Sequence, residues 1–187
     1  MQTSATIVYR CLYLNGHEYC RVYLHSECWH LTGTAVFVRD NGPTRLHYDL
    51  ECDATWHTQK VAVQGSVGDD QIDLAIEVNS DNSWCLNDSD QPDVFGCVDI
   101  DLNFSPSTNL LPIRRLNLAV GQQATVKAAW LRFPSFKLEP LEQTYTRVAE
   151  DKYLYESGGG RFSAELTVNE FGLVTNYPGI WEEDHSP

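Results

Sequence analysis

An all-β fold, mainly antiparallel, is what this 187-residue sequence predicts, and three observations carry the prediction. Val, Thr, Tyr and Trp recur throughout while Lys is scarce, a composition that suits pleated, half-buried strands. Apolar and polar residues alternate in short runs. Turn-forming Gly, Asn and Asp clusters separate those runs at intervals of roughly 8 to 12 residues, the spacing of an antiparallel sheet, sandwich or barrel.

The elements follow in order. Thr34–Val38 reads as a strand that ends at Asp40-Asn41-Gly42-Pro43 and resumes over Arg45–Leu50. This is a hairpin signal, because Asn-Gly readily adopts positive φ. Further strands are expected at Thr58–Gln64, Gln71–Val78, Val98–Asn103, Thr125–Phe133, Gln143–Val148, Tyr153–Glu156, Phe162–Val168 and Leu173–Tyr177. Gly65, Gly68, Gly121, Gly158-Gly159-Gly160 and Gly172 punctuate them. A short helical turn near 107–116 is the one helical expectation. Asp81–Val94, polar and acidic, reads as an exposed connection.

The length suits one β domain over residues 1–187, large enough to fold without staples. Ile72-x-Leu74-x-Ile76-x-Val78-Asn79 is echoed by Phe162-x-Ala164-x-Leu166-x-Val168-Asn169, which raises the alternative of two similar halves, about 1–90 and 91–187.

Charge narrows the function classes. With 26 acidic against 13 basic residues, the formal net charge is −13. Nucleic acid is a poor partner for such a chain, since phosphate binding needs a basic face, and anionic membranes are disfavoured for the same reason. No apolar run is long enough to span a bilayer, and the first residues lack the pattern of a signal peptide, so a cytoplasmic location is expected. The six cysteines are then read as reduced. No phosphate loop, dinucleotide fingerprint or nucleophile elbow is present, so no cofactor is expected. His25-x-x-Cys28-x-His30 has soft ligands at short spacing but no second cluster to complete a zinc site, and no metal is expected.

The chemistry concentrates in residues 96–118, GCVDIDLNFSPSTNLLPIRRLNL. Asp99 and Asp101 lie two apart on a strand and share a face, about 6 to 7 Å apart. They could bind a metal or act as acid and base, form a solvated face opposite Val98, Ile100 and Leu102, or pair with Arg114 or Arg115. Ser105–Asn109 is a turn rich in capping side chains. Arg114 and Arg115 sit in an apolar frame, where a guanidinium can fork onto a polar head group or tie down a loop. Tyr145, Tyr153, Tyr155, Tyr177 and Trp181, with Arg147 among them, supply amphipathic side chains that either pack a core or line a pocket for a sugar or acyl chain.

These motifs resemble a known family. Gly96–Asp101, Pro106–Leu116 with Gly121, Gln143–Arg147, Tyr153–Glu156, Leu166–Val174 and Tyr177-Pro178-Gly179 are similar to the putative glycolipid-binding proteins, formerly a bacterial domain of unknown function. Looser matches are Leu46–Asp53 and Trp56. The sequence departs from the family at Asn169, where members often carry an acid. The resemblance implies a strongly curved, barrel-like antiparallel sheet enclosing a groove, similar in shape to bacterial lipoprotein carriers. It implies no catalytic residue. The reading that follows is non-enzymatic binding of an amphiphile, a glycolipid in particular. The sheet would hold the apolar part, and Arg114, Arg115, Asn109 and Thr108 would meet the head, with Tyr145, Arg147, Tyr177, Asp99 and Asp101 nearby. The alternatives are a hydrolase acting on a lipid or sugar through Asp99 and Asp101, and a module that binds proteins through its acidic surface.

Overall fold

The computed structural model describes residues 3–39 and 42–185. Fifteen strands form one sheet: β1 (Ser4–Cys11), β2 (Asn15–His25), β3 (Cys28–Arg39), β4 (Gly42–Cys52), β5 (Thr58–Val67), β6 (Asp70–Val78), β7 (Trp84–Leu86) and β8 (Ser89–Asp90) precede the 96–118 segment or its start. The remainder are β9 (Asp99–Leu102), β10 (Gln123–Arg132), β11 (Lys137–Ala149), β12 (Lys152–Ser157), β13 (Phe162–Val168), β14 (Val174–Tyr177) and β15 (Trp181–Glu183). The spatial order is β8-β7-β6-β5-β4-β3-β2-β1-β15-β14-β13-β12-β11-β10-β9, so two consecutive runs join where β1 pairs with β15. Every pairing is antiparallel except β9 with β10.

Strict alternation explains the strands. In β4, Thr44, Leu46, Tyr48, Leu50 and Cys52 face inward while Arg45, His47 and Asp49 face out. The β3–β4 hairpin pairs from Arg39 opposite Gly42, while Asp40 and Asn41 of the expected turn lie outside the described residues. The large sheet is strongly curved but does not close into the barrel that the sequence suggested. The reason lies at β9, whose outer edge is met by side chains and a single backbone contact rather than a strand. The N–H of Thr58 donates to Val98 O (3.2 Å), Thr58 Oγ1 accepts from Ile100 N (3.1 Å), and Trp84 Nε1 donates to Cys97 O (3.0 Å). This satisfies the edge groups without a ladder.

Asp81–Val94 departs from the exposed connection expected of it. It contains β7, β8 and a 3₁₀ turn at Pro92–Val94, and both Trp84 and Val94 are buried. The polar residues between them hid two apolar anchors.

A 3₁₀ turn (Ser107–Asn109) runs into α1 (Leu110–Leu116), the single α-helix among the described residues. Pro112 is tolerated in its first turn, where the amide N–H would lack an intrahelical partner. Asn117, in the left-handed region (φ 44°), ends it and donates its N–H to Ile113 O. Leu110 and Leu111 belong to the main apolar cluster and Ile113 to a second one with Tyr145, Tyr153, Tyr155, Leu166 and Val174, so the helix bridges the two. No helix among the described residues is long and apolar enough to cross a membrane.

Candidate functional site

The strand β9 positions the site. Of the three alternatives for its two acids, the solvated face is not what the fold presents: Asp99, Ile100 and Leu102 are all buried and Asp101 is only partly accessible. Arg115 of α1 meets Asp99 on this face, while Asp101 on the same face borders a cavity. Asp99 and Asp101 meet different environments. Arg115, from the last turn of α1, forks onto Asp99: Nε donates to Oδ1 at 3.1 Å and Nη2 to Oδ2. Burial pushes the Asp99 carboxyl up and the guanidinium opposes it. Asp101 has no cationic partner among the described residues. Its Oδ2 accepts from Gln143 Nε2 on β11 (2.6 Å), and burial pushes its carboxyl up to about 6.

Asp101 lines a cavity of about 440 Å³. The walls are largely aromatic: Trp130, Tyr155, Phe162, Tyr177 and Trp181, with Tyr13 at the exposed rim. Tyr155 lies 6.0 Å from Phe162 and 6.1 Å from Tyr177, each pair edge to face. Asn109 also lines the cavity, and its Oδ1 accepts from the buried Tyr145 hydroxyl at 2.9 Å. Its Nδ2 donates to Pro106 O, so this amide is held from both ends. A second depression, about 870 Å³, lies over the β1–β2 turn and β3, and is a broad surface hollow.

The other predicted residues fall elsewhere. Arg114 packs its guanidinium over Trp56 and Phe171, at 5.4 Å from each ring centroid. Arg147 Nη1 donates to Leu118 O (2.8 Å) and Nη2 to Glu150 O, and the side chain covers Tyr153. Thr108 is buried, and its Oγ1 accepts from the Leu102 N–H. Asn169, the departure from the family pattern, accepts from the N–H groups of Phe171, Gly172 and Leu173 through Oδ1, which organises the turn after β13. Of the nine residues singled out, Asp101, Asn109 and Tyr177 line the cavity and Tyr145 stands behind Asn109; Asp99, Thr108, Arg114, Arg115 and Arg147 do not line it.

Sequence reading missed a buried polar cluster beneath the cavity floor. Glu18 on β2 is fully buried and accepts through Oε1 from the hydroxyls of Tyr48 (2.7 Å) and Ser105 (2.6 Å). Ser107 Oγ lies 2.8 Å from Tyr48 Oη and 2.6 Å from Ser105 Oγ. Burial pushes the Glu18 carboxyl up to about 8, with these hydroxyls opposing the shift. Glu18 Oε2 and Tyr9 Oη have no hydrogen-bond partner among the described residues. Ser105 belongs both to this cluster and to the cavity lining. The signal was available: His17-Glu18-Tyr19-Cys20-Arg21-Val22 alternates so that Glu18 shares the inward face with Cys20 and Val22. Gln143, on the same face as Tyr145, was missed in the same way.

The family model described as "Putative glycolipid-binding" matches residues 6–183. The chain belongs to this family. Among solved structures, the chain resembles a crystal structure of a DUF1089 family protein from Pseudomonas aeruginosa, with 34% identity, a TM-score of 0.76, and coverage of 88% of this chain and 91% of that one. Among curated proteins, nothing matches.

Proposed function

We propose that the protein binds an amphiphile, a glycolipid in particular, with the ligand's head group in the cavity around Asp101. The observation that carries this is the cavity itself, whose volume lies within the range of small-molecule sites and whose aromatic walls surround a small set of polar groups. Tyr155, Tyr177 and Trp130 offer ring faces to the apolar side of a sugar, while Asp101 accepts from its hydrogen-bond donors. Leu141, Phe162 and Ile180 extend the apolar surface towards an acyl or alkyl chain. The family description agrees with this reading. Asp101 alone of the two acids lines the cavity, so the paired-carboxylate arrangement needed for a glycosidase-type reaction has no support here.

Titration with octyl β-glucoside below its micellar concentration, followed by tryptophan fluorescence, tests the reading. Trp130 and Trp181 line the cavity, so saturable binding should shift their emission. Leu141→Trp, which fills the cavity from its wall, should weaken the binding by about tenfold or more. An unchanged affinity in this variant would place the ligand elsewhere.

A further inference from the structure

We propose that the head group the cavity recognises is cationic, bearing a protonated amine or a quaternary ammonium. This inference rests on the amphiphile reading above and narrows it.

Three independent features point to a positive charge. First, two carboxylates two residues apart on β9 have opposite fates. Asp99 is matched by Arg115, whereas Asp101, aimed into the cavity, has only the neutral Gln143 amide as a hydrogen-bond donor. Among the described residues, no lysine, arginine or histidine lines the cavity to supply a counter-charge. An unpaired carboxylate held away from bulk water is costly, and a bound cation relieves that cost. Second, the walls are ring faces and edges, the lining that attracts alkylammonium groups through their π systems. Third, the formal charge of −13 sets a field over the molecule that draws cations and repels anions.

The amides argue against a neutral sugar as the preferred head. A sugar hydroxyl both donates and accepts, so its sites usually offer free amide and guanidinium donors. Here part of that capacity is engaged internally. Asn103 Oδ1 accepts from Phe133 N, Asn109 is held by Tyr145 and Pro106, and Gln143 Nε2 is spent on Asp101. Asp101 is the one charged group among the polar groups that remain, which include Asn103 Nδ2 and the Tyr177 hydroxyl. An ammonium brings only donors and charge, and matches it.

The charge on Asp101 is set within its own surroundings. From β11, β12 and β14, Tyr145, Tyr155 and Tyr177 face it, all pushed above the usual phenol range by burial and therefore neutral. Tyr13, at the rim, is raised in the same direction. The neighbouring Asp99 is held by Arg115. Asp101 is thus the group whose ionisation alters the charge inside the cavity.

The test compares matched-chain amphiphiles by isothermal titration at about pH 7: octyl β-glucoside, octyl 2-amino-2-deoxy-β-glucoside, octyltrimethylammonium and octyl sulfate. The two cationic amphiphiles are expected to bind at least about tenfold tighter than octyl β-glucoside, with octyl sulfate weakest. Tighter binding of the amino glucoside than of octyltrimethylammonium identifies an amino sugar as the source of the charge; the reverse order identifies a quaternary ammonium. Asp101→Asn should bring the cationic amphiphiles down to the affinity that the same variant shows for octyl β-glucoside, so that the tenfold preference is lost. Octyltrimethylammonium, whose charge is permanent, gives a second measurement on the unaltered protein. Its affinity should fall when the pH is lowered through about 6, as Asp101 takes up a proton. Equal affinity for neutral and cationic amphiphiles, or a preference that survives both Asp101→Asn and acidification, overturns the cation while leaving amphiphile binding intact. Absence of binding by all four overturns both.

Discussion

Glu18 and Arg115 each show how one side chain constrains the fold around it. Glu18 is an acid at an inward position of an alternating strand, and burial raises its folded value from the ordinary 4.5 to about 8. Folding therefore favours the protonated form. The stability linked to this group is fully present below about 4.5 and is lost as the pH rises through about 8. Asp101 acts with the same sign, between its ordinary 3.8 and about 6. Between pH 6 and 8, Asp101 is largely ionised and Glu18 supplies the remaining slope of these two. Urea unfolding across that window should show the wild-type protein losing stability as the pH rises, and Glu18→Gln should remove most of that loss. An identical slope in the variant would mean that Glu18 is already ionised in the folded state. Arg115 has the opposite character, being one half of a pair with the deeply buried Asp99. Arg115→Ala leaves that carboxylate unpaired and should cost about 3–5 kcal/mol in urea unfolding. The double variant Asp99→Asn, Arg115→Met should recover part of the loss, since it removes the orphaned charge.

At the level of elements, β9 and the segment after it decide where the site lies. The 3₁₀ turn and α1 tie Ser105, Ser107 and Thr108 to three different strands, through Glu18, Tyr48 and Leu102. Tyr48 reaches this cluster by lying against Gly33 of β3: a Cβ at position 33 would stand 2.4 Å from Tyr48 Oη and 2.6 Å from Tyr19 O. Gly33→Ala must displace both the Tyr48 phenol and the facing β2 backbone at Tyr19. It should cost about 1–3 kcal/mol in thermal or urea unfolding and also weaken amphiphile binding, as Ser105 lines the cavity. A loss of stability with unchanged binding would uncouple the cluster from the cavity. The elements differ in how readable they were. β4, β5, β6 and β13 stood out because their apolar positions alternate cleanly between glycine-bearing turns. β7, β8 and β15 are two or three residues long, too short for a period to show, and exist because neighbouring strands hold them. β1 and β2 carry exposed apolar residues such as Val8 and Tyr19 on the outer face, which blurs their alternation.

For the molecule as a whole, local patterning showed the antiparallel character and the central importance of residues 96–118, but not that the curved sheet stays open. Asp99 and Asp101 could be placed on one face of one strand from spacing alone. Which of them meets Arg115 depends on how α1 docks against β9, and that is a tertiary event no local pattern encodes. The arginines drew attention as the scarce cations of an acidic chain; one pairs with a buried acid and the other rests on Trp56 and Phe171. The polar centre of the cavity is instead a carboxylate from a strand that looked half solvated. Curvature converts these placements into a site, because the run β10–β12, the β14–β15 hairpin and the segment before α1 all contribute to one wall.

Native mass spectrometry of the protein purified from its own host, followed by extraction and identification of the bound species, tests the central claim most directly. The expected result is a stoichiometric amphiphilic adduct that is lost from Leu141→Trp. An adduct retained by that variant, or protein that is empty and yields no lipid on extraction, would contradict it.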